Sequence, residues 1–238
     1  MSHFHDIEGR EFDVSVYDKE YFEGKGKKSG YTSYGNARNL VRDQFQIIHD
    51  VMFPTVSADG EAMIHIDAGC AYGFGVQRMK ELGWTSVGGD VSEFAIEEGK
   101  RLLGEDIEIS VSDARKPGFW KGFDKAQACD LVTAVEFFEH IPTSDVPTVI
   151  EYMSKSARWG TFCINARTAP GQDEHGNEGD HGHLNNHSIG WWIEQFSKVG
   201  EIDFEAMYTL SKRSEIYNPD LHWHNRWVVV KFKEVVIE

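Results

Sequence analysis

The sequence predicts a doubly wound α/β domain, a parallel sheet with helices on both faces, and three observations carry that expectation. From residue 62 onward, short apolar runs alternate with amphipathic stretches. Such a strand–helix rhythm closes into parallel pairs through right-handed crossovers, which cover both faces of the sheet. Glycines follow two of the apolar runs, Gly69 and Gly73 after the first and Gly88 and Gly89 in the second, where a strand turns sharply towards a helix. Finally, 238 residues with 40% hydrophobic content supply one sizeable core, which excludes disordered and fibrous classes and suits one large domain better than two.

Taken in order, an opening rich in aromatics (Tyr17, Tyr21, Phe22, Tyr31, Tyr34) leads into residues 39–53. There Leu40, Val41, Phe45, Ile47, Ile48, Val51 and Met52 recur at spacings of three and four, which predicts an amphipathic helix ended by Pro54. Residues 62–67 read as a strand, 73–82 as a helix, 86–90 as a strand, 92–103 as a helix and 107–112 as a strand. A loop with Pro117, Gly118 and Trp120 comes next, then a strand at 129–136, a helix at 144–156, a strand at 160–166 and a helix at 187–199. Two further strands, 202–210 and 227–232, complete the series. His65, inside the first strand, is expected to be a packed core histidine. Residues 168–186 are long, polar and rich in Gly and His, which marks a functional loop rather than a connection.

Charge and cysteine usage narrow the function classes. Lys and Arg number 24 against 39 Asp and Glu, a formal charge of −15, and that sign opposes nucleic acid, whose affinity is built from cations displacing phosphate counterions. The run Lys25, Lys27, Lys28 reads as a solvated loop. Cys70, Cys129 and Cys163 are odd in number and lack C-x-x-C spacing, so neither a disulfide framework nor a zinc site is expected. No apolar run approaches the ~20 residues of a membrane span. The N-terminal residues lack the basic and apolar regions of a secretory signal, so a cytoplasmic location is expected.

The most informative stretch is Ile64-His65-Ile66-Asp67-Ala68-Gly69-Cys70-Ala71-Tyr72-Gly73-Phe74-Gly75. A strand that runs through glycines into a helix forms a ligand crevice at the carboxyl ends of parallel strands. A dinucleotide fingerprint counted from Gly69 needs glycines at 71 and 74, where Ala71 and Phe74 stand. The chain instead has an acid two residues before the glycine, a Gly-Cys-x-x-Gly turn, and a second strand ending Gly88-Gly89-Asp90-Val91-Ser92. With Asp113-Ala114 after the third strand, this order over residues 63–141 resembles class I S-adenosylmethionine-dependent methyltransferases. The resemblance implies a Rossmann-like sheet of seven strands, mostly parallel, with an antiparallel C-terminal hairpin. It implies that Asp67, Gly69, Cys70, Ala71 and Gly73 face the methionine part of S-adenosylmethionine and that Asp90 accepts the ribose hydroxyls. Val91 and Ser92 would flank the adenine, Asp113 and Ala114 would hold its edge, and Val135 and Glu136 would lie beside the transferable methyl.

The acceptor is read from the residues after the fourth strand. Val135-Glu136-Phe137-Phe138 lacks the Asn/Asp-Pro-Pro-aromatic motif of enzymes that methylate adenine or glutamine amides. Glu136-x-x-Glu139-His140 resembles the corresponding segment of ubiquinone-type and sugar O-methyltransferases. If that segment is helical, both carboxylates and the imidazole share a face, a donor set for Mg²⁺ or Mn²⁺ held by Glu136, Glu139 and His140. Asp180-x-x-His183 resembles the acid–histidine pair of small-molecule methyltransferases, whereas His181 and His187 read as surface histidines. His183, His140 and Glu139 are the catalytic candidates. Tyr21 and Tyr31 belong to an opening that resembles a lid over the cofactor, so residues 1–58 form a lid and helix on a methyltransferase domain spanning 59–238, with 168–186 as its inserted acceptor loop. The function so implied is methyl transfer to a hydroxyl of a small molecule such as a sugar or polyketide. N- or C-methylation, or a non-catalytic cofactor-binding module, remains open.

Overall fold

A computed structural model of the chain describes residues 11–24, 33–56, 63–123, 127–166, 182–185, 187–217 and 226–234. A 3-10 turn (Val14–Val16) and the short helix α1 (Lys19–Phe22) precede the long helix α2 (Arg38–Val56). The alternating part runs as β1 (Ile64–Ala68), α3 (Phe74–Glu81), β2 (Thr85–Asp90), α4 (Glu93–Leu103), β3 (Ile109–Val111), α5 (Pro117–Trp120), β4 (Cys129–Val135), α6 (Val146–Ser156) and β5 (Ala157–Cys163). It closes with α7 (Ile189–Ser197), β6 (Gly200–Ile202), α8 (Phe204–Tyr217) and β7 (Trp227–Phe232). The boundary expected near residues 58 and 59 lies outside the described residues, as do Tyr31 and most of the 168–186 loop.

The sheet has seven strands in the order β3-β2-β1-β4-β5-β7-β6. Strands β1 to β5 pair in parallel, while β7 runs antiparallel to both β5 and β6. The chain begins in the middle of the sheet, winds outward through β2 to β3, and returns to wind the other way through β4 and β5. That reversal lies between β1 and β4, whose register runs from His65 opposite Leu131 to Asp67 opposite Thr133. Apolar packing holds a layer on each face. On one side Trp120, Phe138, Phe162, Trp192 and Phe196 are fully buried, and on the other Phe45, Ile47, Ile48 and Met52 of α2 join Leu210 of α8. All three cysteines are free and buried. Among the described residues no helix is long and apolar enough to cross a membrane.

Three local expectations are corrected. Pro54 does not end α2, which continues two residues to Val56; so close to the C-terminus a proline removes little of the hydrogen-bond ladder. The strand expected at 202–210 is β6 ending at Ile202 and then helix α8. Asp203 caps that helix by accepting the Ala206 amide at 2.9 Å, and Ala206, Met207 and Leu210 pack on the α2 side at helical spacing. The antiparallel pair β6–β7 is present, but α8 lies between its strands where a hairpin would have a turn. Pro117 starts the short helix α5 where a loop was expected, its fixed φ suiting a first helical position.

Phe138 is wholly buried and touches Phe162, Trp192 and Phe196 with ring centroids 5.3–5.4 Å apart. Phe138→Ala is expected to destabilise the fold by about 3–5 kcal/mol in denaturant unfolding; a loss below about 1 kcal/mol contradicts this packing.

Candidate active site

The site is built at the carboxyl ends of β1, β2 and β4, the crevice that a reversal of strand order opens. The turn after β1 is pinned to β2, because Gly89 O accepts both the Gly69 amide at 2.9 Å and the Cys70 amide at 3.1 Å. Gly69 has φ +78°, and a Cβ there would stand 2.6 Å from Cδ2 of Phe137, so only glycine lets the β1 and β4 turns meet. Ala71 (φ 46°) and Glu136 (φ 51°) hold left-handed conformations without being glycine, stored strain of the kind that collects at functional turns.

Asp90, at the end of β2, is the hub. Its Oδ2 accepts the Ala71 amide at 3.0 Å and its Oδ1 the Ser92 amide at 2.9 Å, which leaves further lone pairs for a ligand. Burial raises its pKa, and those amides oppose the rise. Burial pushes Asp67 up to about 7, against the Thr133 hydroxyl, which donates to Oδ1 at 2.7 Å. His65 stands behind this pair, fully buried, with Nε2 2.9 Å from Thr133 Oγ1 and Nδ1 2.7 Å from Ser86 Oγ. It is the core histidine expected, and burial lowers its pKa to about 3. At the β3 end, burial pushes the Asp113 carboxyl up, but the Arg115 side chain, bonded to Oδ1 at 2.9 Å and Oδ2 at 2.7 Å, leaves it lowered overall.

These turns line an open cleft of about 700 Å³, its solvent-facing mouth included. Of the expected cofactor residues, Gly69, Ala71, Asp90, Val91, Asp113, Ala114, Val135, Glu136 and Tyr21 line it, with His140 at its rim. Asp67 and Cys70 line an adjoining cleft with Gln44 and Glu136. Gly73 sets the start of α3 with φ 75°. Ser92 caps α4 through its hydroxyl and donates to Tyr17 O at 2.5 Å. The sequence reading missed Phe12, Arg115 and Phe137. Arg115 lies 3.5 Å under the Phe12 ring and binds Asp145 as well as Asp113, so it closes the β3 end of the cleft. A cation two residues after an expected adenine-binding acid was the available signal.

The catalytic candidates gather at the β4 end. Glu139, His140 and His183 place potential ligand atoms within 4.8 Å of one another. Glu136, expected beside Glu139 and His140 as a metal ligand, is not in that group and accepts a contact from the Cys163 thiol at 3.8 Å. What brings His183 across is Asn185, also missed. Its buried amide donates to Phe138 O at 2.8 Å and Ile141 O at 2.7 Å, while Glu139 O accepts the Leu184 amide at 2.8 Å. Asp180 and His181 lie outside the described residues. His187 is not at the surface: it is buried, its Nε2 is 2.7 Å from Thr143 Oγ1, and it stacks on Trp191 at 3.7 Å.

Residues 66–164 match a family model described as a methyltransferase domain. Those residues carry a methyltransferase domain. Among solved structures, magnesium protoporphyrin IX methyltransferase from Synechocystis PCC 6803 with bound SAH is 16% identical, with a TM-score of 0.52 over 73% of this chain and 80% of that one. A SAM-dependent methyltransferase from Archaeoglobus fulgidus is also 16% identical, with a TM-score of 0.52 over 82% of this chain and 94% of that one. These likenesses establish the fold of the methyltransferase domain. No curated protein matches the sequence.

Two outcomes test the cofactor cleft. Bonds from ribose hydroxyls to a half-buried carboxylate are worth roughly 1.5–3 kcal/mol, so Asp90→Ala is expected to weaken S-adenosylmethionine binding about tenfold to over a hundredfold in calorimetry while the protein stays folded. Unchanged affinity refutes the assignment. Because Asp67 holds a proton below about pH 7, and the cationic cofactor prefers the carboxylate, affinity should fall as pH drops below that value and level off above it. A pH-independent affinity between pH 6 and 8 on the same scale contradicts the arrangement.

Proposed function

We propose that the protein transfers the methyl group of S-adenosylmethionine to a hydroxyl of a small molecule, a sugar or polyketide-like acceptor. The observation that supports this reading is the Glu139–His140–His183 cluster at the rim of the cofactor cleft. A sulfonium methyl is already reactive, so the chain chiefly aligns the acceptor with it, which can be worth effective molarities of ~10⁵ M or more. A hydroxyl has in addition to lose its proton, and two imidazoles within reach of the cleft answer that need. The aromatic side chains of Phe12, Tyr17, Tyr21 and Phe22 line the cleft and give it an apolar wall.

The same residues fit a divalent cation. Glu139 is 1% exposed and its Oε2 has no hydrogen-bond partner among the described residues. Burial and the adjacent Glu136 carboxylate push its pKa well up; the unpartnered oxygen is the feature that fits a cation. One carboxylate with two imidazoles suits Mn²⁺ or a later transition ion better than Mg²⁺. A cation held by Glu139, His140 and His183 would supply polarisation of the acceptor oxygen.

Incubation with radiolabelled S-adenosylmethionine and a metabolite extract is expected to label a small product at oxygen; label on nitrogen or carbon, or no label, refutes the proposal. EDTA should abolish transfer, Mn²⁺ should restore it, and Glu139→Ala should behave like the chelated enzyme. Indifference to EDTA combined with a ~10²–10⁴-fold loss in His183→Ala shows instead that His183 removes the proton unaided.

A further inference from the structure

Tyr17 touches three parts of the site at once, besides lining the cleft with its ring. Its backbone oxygen accepts the Ser92 hydroxyl at 2.5 Å, at the start of α4 and next to the amide that binds Asp90. Its phenol oxygen lies 3.2 Å from Gly182 O and 3.3 Å from His140 Nδ1. The ring stands edge-on to His140 at 5.7 Å and to Tyr21 at 5.2 Å.

Hydrogen counting gives this arrangement a direction. A phenol owns one hydrogen, a backbone carbonyl can only accept, and a neutral imidazole donates from one nitrogen and accepts at the other. The Tyr17 hydrogen is therefore given to Gly182 O. The contact with His140 is then a hydrogen bond only when Nδ1 carries the proton and Tyr17 Oη accepts it. We infer that Tyr17 is a positioning residue that holds His140 as its Nδ1–H tautomer and leaves the lone pair on Nε2 for the acceptor's proton or a cation. Partners of this kind orient a working histidine from behind and fix which nitrogen is free. Because the same residue is bonded to Ser92, the imidazole and the cofactor's ribose site share one strut. The inference rests on the proposed reading that His140 belongs to the reacting centre.

The test is nitrogen NMR of ¹⁵N-histidine-labelled protein without acceptor, in mildly alkaline solution where imidazoles are neutral, with His140 assigned by loss of its signals in His140→Gln. Wild type is expected to show His140 protonated at Nδ1. Tyr17→Phe keeps the ring and the Ser92 bond but removes the acceptor oxygen, and should shift His140 towards the Nε2–H form. In the same variant the affinity for S-adenosylmethionine should stay within about twofold, while kcat falls roughly 10–100-fold with little change in the acceptor's KM. A wild-type His140 protonated at Nε2, or a Tyr17→Phe protein with the wild-type tautomer, overturns the inference. So does a loss of cofactor affinity that parallels the loss of rate with no tautomer change, since that is the mark of a strut alone. The NMR readout needs no turnover. A protein with the Nδ1–H tautomer that methylates no acceptor therefore refutes the proposed function and leaves this inference standing.

Discussion

Everything in the site depends on two turns that have to meet. The chain leaves β1 towards one edge of the sheet and leaves β4 towards the other, so the turns at their ends face each other across a gap. Gly69 gives up its side chain so that Phe137 can close against it. In the same two turns Ala71 and Glu136 hold left-handed backbone angles. Asp90 then locks the assembly by accepting the Ala71 amide from the β1 turn and the Ser92 amide at the start of α4. Remove that carboxylate and two amides lose their acceptor.

The second consequence is electrostatic. Asp67, Asp90 and Glu139 are three acids whose pKa values burial raises; Asp90 lines the cleft, Asp67 lines the adjoining one, and Glu139 stands next to His140 of the lining. Burying carboxylates is costly without a partner, and a sulfonium-bearing ligand is the kind of partner that repays it. Behind Asp67, the Ser86–His65–Thr133 chain fixes which way hydrogens point, so its carboxylate keeps one orientation. The acidic charge of the whole chain thus has a local counterpart, a cleft that favours a cation.

How much of this was legible in the sequence depends on how local each signal is. The strand–turn–helix units around Asp67 and Asp90 were readable because the glycines and acids that build them are neighbours in the chain, and β7 fell on its expected residues. Helix α8 was misread because its opening residues carry apolar and aromatic side chains that suit a strand, and the decisive sign was a single cap, Asp203. The clamp of Asn185 on Phe138 O and Ile141 O joins residues far apart in sequence, and an asparagine in a polar loop gives no hint of burial. His187 was placed at the surface for the same reason, since its partner Thr143 is also remote. His183 was legible as a candidate, whereas its approach to His140, with ring centroids 4.8 Å apart, is a property of the fold.

The most direct test is a crystal structure of the protein with S-adenosylhomocysteine bound. The account predicts a ribose within hydrogen-bond distance of Asp90, an adenine between Val91 and the Asp113–Ala114 turn, and a sulfur facing the Glu139–His140–His183 rim. A ligand seated away from Asp90, or one whose sulfur turns away from His140, would contradict it.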